Sequence, residues 1–314
     1  MKKLVILFFL FIFLATFPGL ADKMVRDPEE ATHILVGEVA EVEGYYDYNE
    51  YGDYLIFSRV TVRVDKELKG RAEKFVAFSV EGGEVGDLGL RVSNTPAFKK
   101  GQVHKLYLKK LNAVYKLIKQ EKLQPEVKAQ TECCLTFAKW PSKTATFYLN
   151  PNCNDMTSSC TYSEIDLGSG SWQPEFELVI GGTTSLTKVK QDYQNIVFFR
   201  KAKAGSTIAV TYTWYNRTTG IIIEFDMMFY DGWKYFSFNN ACTATCNGGF
   251  YLSVIAAHEF GHAIGIDHND CTTSIMYPYA DYCDTGLVQS VDRTCAGTIY
   301  WPEKNPKIIG WWLR

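Results

Sequence analysis

The chain has 314 residues, of which 46% are hydrophobic, enough for two domains that each bury a core. Its formal net charge of −2 leaves no broad basic surface, so we do not expect nucleic acid as a partner. Aromatic residues make up 15% of the chain, a share that favours β-rich domains over long helical bundles.

The first 21 residues predict a secretory signal peptide. Lys2 and Lys3 precede an apolar run at residues 4–17, and Ala21 is a small residue suited to cleavage. The run is shorter than the roughly 18 residues that a membrane span needs. We therefore expect a secreted, extracellular protein with no stable membrane span once the signal is removed.

Residues 22–118 predict a small all-β domain. Residues 56–64 alternate between apolar and polar side chains, which is typical of a half-buried strand. Further strand candidates lie at residues 34–42, 75–80, 105–108 and 114–118, and turns are expected at Gly82, Gly83, Gly86 and Gly89. Short strands separated by such turns indicate a barrel-like or sandwich domain, whose role the sequence leaves unknown.

A charged, aperiodic stretch at residues 119–131 predicts a linker. Residues 132–300 then form the second domain, and residues 301–314 form a C-terminal tail. All nine cysteines lie in the second domain, which in an exported chain implies disulfides there. The odd count leaves at least one thiol free or paired between molecules. Pairs close in sequence are the candidates, with connectivity left open: Cys153–Cys160, Cys242–Cys246 and Cys271–Cys283.

The second domain shows both strand and helix patterns. Residues 144–149 predict its opening strand, and residues 207–215 and 221–229 alternate across a connection short enough for a hairpin. Residues 251–264 contain no helix breaker before Gly261, which predicts a largely buried helix. The Cys-, Ser- and Gly-rich stretch at residues 153–172 carries no pattern that assigns an element.

The sequence H-E-F-G-H-A-I-G-I-D-H runs from His258 to His268. On a helix, His258 and His262 lie four residues apart and project from one face. Glu259 is offset by one residue, where a base for a metal-bound water belongs. Gly265 can take a left-handed conformation that ends the helix and returns His268 as a third ligand. Three histidines with an open fourth position predict one catalytic zinc ion rather than ordinary structural histidines.

The sequence S-I-M-Y-P follows at residues 274–278. With it the second domain resembles the metzincins, and within them the matrixins or matrix metalloproteinases, over roughly residues 135–300. The resemblance implies an α+β zinc protease domain in which Met276 is the turn methionine beneath the zinc site. It also implies that residues 207–214 are the edge strand that pairs with extended substrate, and that residues 287–300 form the closing helix.

The motif and the resemblance together predict a secreted zinc-dependent endopeptidase that acts on protein or peptide substrates, with Glu259 as general base. Calcium stays open as a further ion, with no ligands assigned. The wall of the specificity pocket departs from the family's Pro-x-Tyr pattern and reads P-Y-A at residues 278–280. The familiar Pro-Arg-Cys-Gly switch is absent, so neither subsite preference nor latency carries over from the family.

Two other interpretations remain open on the sequence alone. The chain could be a secreted zinc-stabilised binding protein, or an inhibitor-like module, without turnover. The intact Glu259 and the open ligand position argue against the first. We further expect the N-terminal β-domain to restrain or to target the protease, because it lacks cysteine and has a strand pattern of its own.

Overall fold

The computed structural model describes residues 21–22, 30–123, 133–202 and 205–301. Residues 1–20 of the predicted signal peptide and the tail from residue 302 lie outside these ranges. No helix within them is long and apolar enough to cross a membrane. The N-terminal elements are β1 (Ala21–Asp22), β2 (His33–Tyr48), β3 (Tyr54–Lys69), β4 (Phe75–Glu81), β5 (Gly83–Val85), β6 (Leu88–Val92), β7 (Val103–Leu111) and β8 (Val114–Leu123). The C-terminal elements are β9 (Thr144–Leu149), α1 (Ser158–Gly170), β10 (Glu177–Thr183), β11 (Ile196–Arg200), β12 (Ala209–Asn216), β13 (Ile221–Tyr230), β14 (Tyr235–Phe236), a 3-10 helix (Phe238–Asn240), β15 (Phe250–Tyr251), α2 (Leu252–Ala263), β16 (Tyr279–Ala280) and α3 (Ser290–Tyr300).

Five N-terminal strands close into a barrel in the order β2-β3-β4-β8-β7. Alternate apolar side chains fill its interior, among them Val60, Val62 and Phe78. Strand β8 continues to Leu123, so the first five residues of the predicted linker are strand. Its charged side chains, such as Glu121, pair with lysines on the outer barrel face, and this charge hid the strand from the sequence pattern.

Strands β5 and β6 leave the barrel and join the second domain. The chain turns at Gly86, whose φ is +60°, and β6 then pairs antiparallel with β12. Gly89 lies inside β6 rather than at the turn predicted there, with the ring of Tyr215 packed over it. The N-terminal region therefore contributes two strands to the sheet of the second domain, which the predicted domain division did not include.

The second domain is built on a seven-stranded sheet in the order β10-β9-β11-β13-β12-β6-β5. Neighbours among β10, β9, β11 and β13 run parallel, whereas β12 runs antiparallel to β13. The predicted hairpin at residues 207–229 is formed by β12 and β13. The expectation that residues 207–214 form an edge strand open to extended substrate is wrong for its C-terminal part, because β6 pairs with β12 from Tyr212 to Asn216.

Helix α1 occupies part of the stretch that carried no recognisable sequence pattern. The side chain of Thr157 caps its N-terminus by accepting a hydrogen bond from the backbone of Cys160. Gly168 lets α1 approach α2 closely, because a Cβ at this position would lie 2.7 Å from the Cβ of Ala256. Tertiary packing therefore stabilises a helix whose Ser- and Gly-rich sequence has low intrinsic propensity.

The predicted pairing of nearby cysteines is wrong. The disulfides are Cys133–Cys271, Cys134–Cys295, Cys160–Cys242 and Cys246–Cys283, with sequence separations from 37 to 161 residues. Cys153 is buried and unpaired. Folding brings distant segments to bonding distance; for example, an isolated bridge between Thr136 and Ile266 lies near the Cys133–Cys271 pair. Short separation in sequence therefore did not indicate proximity in space.

Candidate metal centre and active site

The three histidines of the motif converge on one point. Helix α2 carries His258 and His262, and the segment after the helix returns His268. The Nε2 atom of His258 lies 3.2 Å from Nε2 of His262 and 3.2 Å from Nε2 of His268. A zinc ion with Zn–N bonds of 2.0–2.1 Å in tetrahedral geometry would set its nitrogens about 3.3 Å apart, so the site fits zinc.

The other ring nitrogens of two histidines are fixed by backbone carbonyls. Nδ1 of His258 lies 2.5 Å from the Ile275 carbonyl oxygen, and Nδ1 of His262 lies 2.8 Å from that of Ile266. Because a carbonyl oxygen only accepts, each Nδ1 must carry the proton. Each Nε2 then presents its lone pair to the common point, the arrangement that a metal ligand requires.

Gly265 makes the return of His268 possible. Its φ is +92°, in the left-handed region that favours glycine. A Cβ at this position would also collide with the Ala138 carbonyl oxygen. The backbone of Gly265 donates to the His262 carbonyl and ends α2. The turn that the sequence assigned to this glycine is the one that brings the third histidine to the other two.

Met276 lies fully buried beneath the histidine helix. A Cβ at Gly261 would collide with the Met276 sulfur, so the glycine lets the methionine turn pack directly against α2. The indole of Trp172 also packs at Gly261 and donates to the Ala257 carbonyl at 2.8 Å. These contacts fix the height of α2 over the turn and hence the positions of its two histidines.

Asp292 in α3 holds the methionine turn from the other side, a role that sequence reasoning missed. Its buried carboxylate accepts hydrogen bonds from the Ser274 hydroxyl at 2.5 Å and from the Ile275 backbone at 3.1 Å. Since the carbonyl of Ile275 orients His258, Asp292 acts on the metal centre through this segment. An acidic residue near the start of α3 looks in the sequence like an ordinary capping residue.

The Glu259 carboxylate is buried beside the histidines. It accepts a hydrogen bond from the Thr211 hydroxyl at 2.8 Å and from the Ser93 hydroxyl at 3.3 Å. Thr211 lies on β12 and Ser93 directly follows β6, so two sheet strands meet helix α2 at this carboxylate. Neither hydroxyl was predicted, because Ser93 is 166 residues from Glu259 and no local motif contains it.

A cavity of about 320 Å³ opens next to His258. Val254, Ile255 and Leu287 supply apolar lining, and Tyr279 and Ala280 form part of its wall. The cavity is large enough for an amino-acid side chain and lies within reach of the metal centre.

A second group of ligand-type side chains lies away from this centre. The ligand atoms of Cys153, Asp155 and Asp231 all lie within 4.8 Å of one another. Burial raises the pKa of the Cys153 thiol to about 12, so the thiol is protonated at neutral pH and is a poor ligand. Both carboxylates already accept backbone hydrogen bonds, Asp155 from Tyr235 and Asp231 from Asn154. The described contacts account for this group as loop packing.

The matrixin family model matches residues 139–300, which include every residue of the histidine motif and of the methionine turn. Matrix metalloproteinase-9 of Canis lupus familiaris is 34% identical over 58 residues, 18% of this chain and 8% of the relative. Interstitial collagenase of Equus caballus is 41% identical over 59 residues, 18% of this chain and 12% of the relative. Karilysin of Tannerella forsythia is 40% identical over 45 residues, 14% of this chain and 9% of the relative. The matched segments thus span about a tenth of the length of these relatives. The family match extends over more than half of the residues of this chain, so the chain belongs to the matrixin family.

Proposed function

We propose that this protein is a secreted zinc-dependent endopeptidase that hydrolyses peptide bonds in protein substrates. The convergence of three Nε2 atoms beside the buried Glu259 carboxylate, inside a matrixin domain, is the observation that carries this proposal. His258, His262 and His268 would hold the metal. Bound zinc would acidify water and polarise the substrate carbonyl.

The chain's own residues perform the proton transfers in this mechanism. The Glu259 carboxylate takes a proton from the attacking water, whose oxygen forms the new bond to the peptide carbon. The peptide C–N bond then breaks, and Glu259 returns the proton to the leaving amine. The Thr211 hydroxyl donates a hydrogen bond of 2.8 Å to the Glu259 carboxylate and so holds it in place for both steps. The buried surroundings of Glu259 keep bulk water away from the reacting atoms.

The cavity beside His258 supports cleavage of peptide bonds next to residues whose side chains are largely apolar. Val254, Ile255 and Leu287 line it, and Tyr279 and Ala280 form part of its wall. An apolar side chain entering this cavity would lose water on both surfaces, which favours its binding.

Export is the second part of the proposal. The layout of residues 1–21 is that of a signal peptide, and four disulfides stabilise the second domain. Disulfides in this number are typical of oxidising compartments rather than of the cytosol.

Two variants separate an enzyme from a zinc-stabilised scaffold. The test incubates the zinc-loaded full chain for a long period with reduced, carboxymethylated casein and counts new peptide N-termini by mass spectrometry. Glu259→Gln keeps all three ligands, so bound zinc should persist while cleavage disappears. His262→Ala should lose zinc and cleavage together, because two histidines hold the ion too weakly.

Glu177→Gln is the matched control, because Glu177 is exposed on β10 and outside the centre. It should retain both zinc and cleavage. A chain that binds one zinc per molecule yet produces no new N-termini, even when Gly89→Val displaces β6 from β12, would support the scaffold interpretation instead.

A further inference from the structure

The edge of β12 next to the metal centre is occupied by the chain's own β6. Tyr212 pairs with Val92 and Asn216 with Leu88, in antiparallel register. An extended polypeptide binds to a sheet by pairing its backbone with an exposed edge. This part of β12 offers no such edge while β6 is in place.

The segment ends at the proposed catalytic base. Ser93 follows β6 directly; its backbone donates to the Thr211 carbonyl at 3.0 Å, and its hydroxyl accepts from the Thr211 backbone at 3.0 Å. The same hydroxyl donates to Glu259 at 3.3 Å. The chain then turns, with Thr95 donating to the Val92 carbonyl at 3.1 Å. The segment thus reaches the base and leaves, rather than running on past the histidines as a substrate would.

An ion pair fastens β6 to the zinc-binding segment. One Arg91 nitrogen lies 2.8 Å from each carboxylate oxygen of Asp267, the residue directly before His268. The two side chains are only 18% and 25% exposed, so solvent screens the pair weakly. A second nitrogen of Arg91 donates to the Thr95 carbonyl and fixes the guanidinium. Such charge-assisted bonds are stronger than those between neutral groups.

The barrel and the protease sheet also share a hydrophobic cluster. Leu55 and Ile56 of the barrel pack in one cluster with Tyr212 and Trp214 of β12 and with Leu90 and Val92 of β6. Beside it, the fully buried carboxylate of Asp53 pairs with Arg200 of β11 at 2.9 Å. The covering strand is therefore held by a packed apolar interface and not by its backbone pairing alone.

We propose that the N-terminal domain is an intramolecular inhibitor. Its strand β6 and Ser93 lie next to the proposed catalytic base and block extended polypeptides from pairing with β12. The inference rests on the proposed function, whose site it regulates. Substrate gains access when β6 separates from β12. No thiol is needed for this form of restraint.

Binding of an extended polypeptide tests the inference without any need for turnover. The probe is fluorescein-labelled, reduced and carboxymethylated casein, added to the zinc-loaded full chain carrying Glu259→Gln. Adding Gly89→Val should push β6 away, because a side chain there collides with the ring of Tyr215. Adding Arg91→Ala should loosen the same strand by removing the pair with Asp267. Each addition should raise the affinity for casein roughly tenfold or more.

Arg59→Ala is the matched control for Arg91→Ala, because Arg59 is exposed and stacks on Tyr45 of the barrel. It should leave casein affinity unchanged. Hydrogen exchange gives a second readout: the amides of residues 88–92 should exchange faster in both loosened variants and in the presence of casein. Zinc content, measured alongside, should be the same in every variant.

The outcomes distinguish this inference from the proposed function. Equal casein affinity and equal exchange at residues 88–92 in all variants would overturn the inhibitor, even if the chain hydrolyses peptides. A rise in affinity in both loosened variants supports it, even if no form carrying Glu259 cleaves casein, in which case the proposed function fails by itself. If Gly89→Val does not fold, Arg91→Ala decides the question.

Discussion

Glu224 is a buried carboxylic acid on β13 that organises the loop before β11. Its carboxylate accepts hydrogen bonds from the backbone of Asp192 at 2.9 Å and of Tyr193 at 2.5 Å. Burial raises the pKa of Glu224 to about 7, against the opposing effect of these two hydrogen bonds. The nearby charge of Asp192 raises the pKa further. The loop is therefore held by a carboxyl group on β13 whose pKa lies close to neutral pH.

The raised pKa of Glu224 predicts a pH-dependent stability. The folded state favours the protonated acid, so its contribution is fully present below the ordinary pKa of 4.5 and is lost as pH rises through about 7. Glu224→Gln keeps an acceptor for the loop but cannot ionise. The melting temperature of this variant, measured relative to wild type, should rise between pH 4.5 and pH 7 and level off above. A constant difference over that range would contradict the raised pKa.

At this scale the sequence predicted residues that belong to one local motif and missed those that do not. His258, Glu259 and His262 share one helix, so spacing alone sets their relative directions. Ser93 and Asp292 reach the site from a distant strand and from the closing helix. Their contacts depend on tertiary packing, which a single sequence does not reveal.

Helix α1 is the element whose formation depends most on a neighbour. Gly168 faces α2 closely, whereas Gly170 in the same helix has open space at its Cβ position. Gly168→Ala should therefore lower the free energy of unfolding by about 1–3 kcal/mol through overpacking. Gly170→Ala, the matched control, should leave it unchanged or raise it by at most about 1 kcal/mol. Denaturant unfolding of both variants measures the difference, and equal effects would show that α1 does not pack against α2 in this way.

Strands were predicted best where one face of the strand is buried and the other is exposed to solvent. The alternation at residues 56–64 reflects two such faces in the long strand β3. Strand β13, predicted at residues 221–229, is instead buried on both faces from Glu224 to Tyr230. Strand β11 has no such alternation, because four of its five residues are buried. Strand β6 contains Gly89, which the sequence alone indicates as a turn. In the structure the ring of Tyr215 packs over Gly89, and the residue lies within the strand.

The disulfide arrangement belongs to the whole molecule, since each bond joins segments that are far apart in sequence. It predicts one free thiol, at Cys153, which is buried in the native protein. N-ethylmaleimide should label no cysteine in the native chain and Cys153 alone after denaturation without reduction. Denaturation with reduction should expose all nine cysteines. Peptide mapping reads the sites, and labelling of any cysteine other than Cys153 before reduction would contradict the four bonds.

The domain division was the part of the whole fold that the sequence described least well. The barrel has its own core, as the strand pattern predicted, yet it also shares a cluster with the sheet of the second domain. The predicted linker and the change in cysteine content indicate a boundary along the chain, but they do not reveal a hairpin that crosses it. The crossing pair, β5 and β6, links the two units at Glu259.

The central claim is that Glu259 is the base of a zinc endopeptidase whose active site β6 restrains. The most direct measurement is the initial rate of casein hydrolysis by the zinc-loaded full chain carrying Gly89→Val, with and without Glu259→Gln. The account predicts steady hydrolysis by the first protein and a fall of at least roughly 10²–10⁴-fold in the second, at equal zinc content. Equal rates in the two proteins would contradict the account.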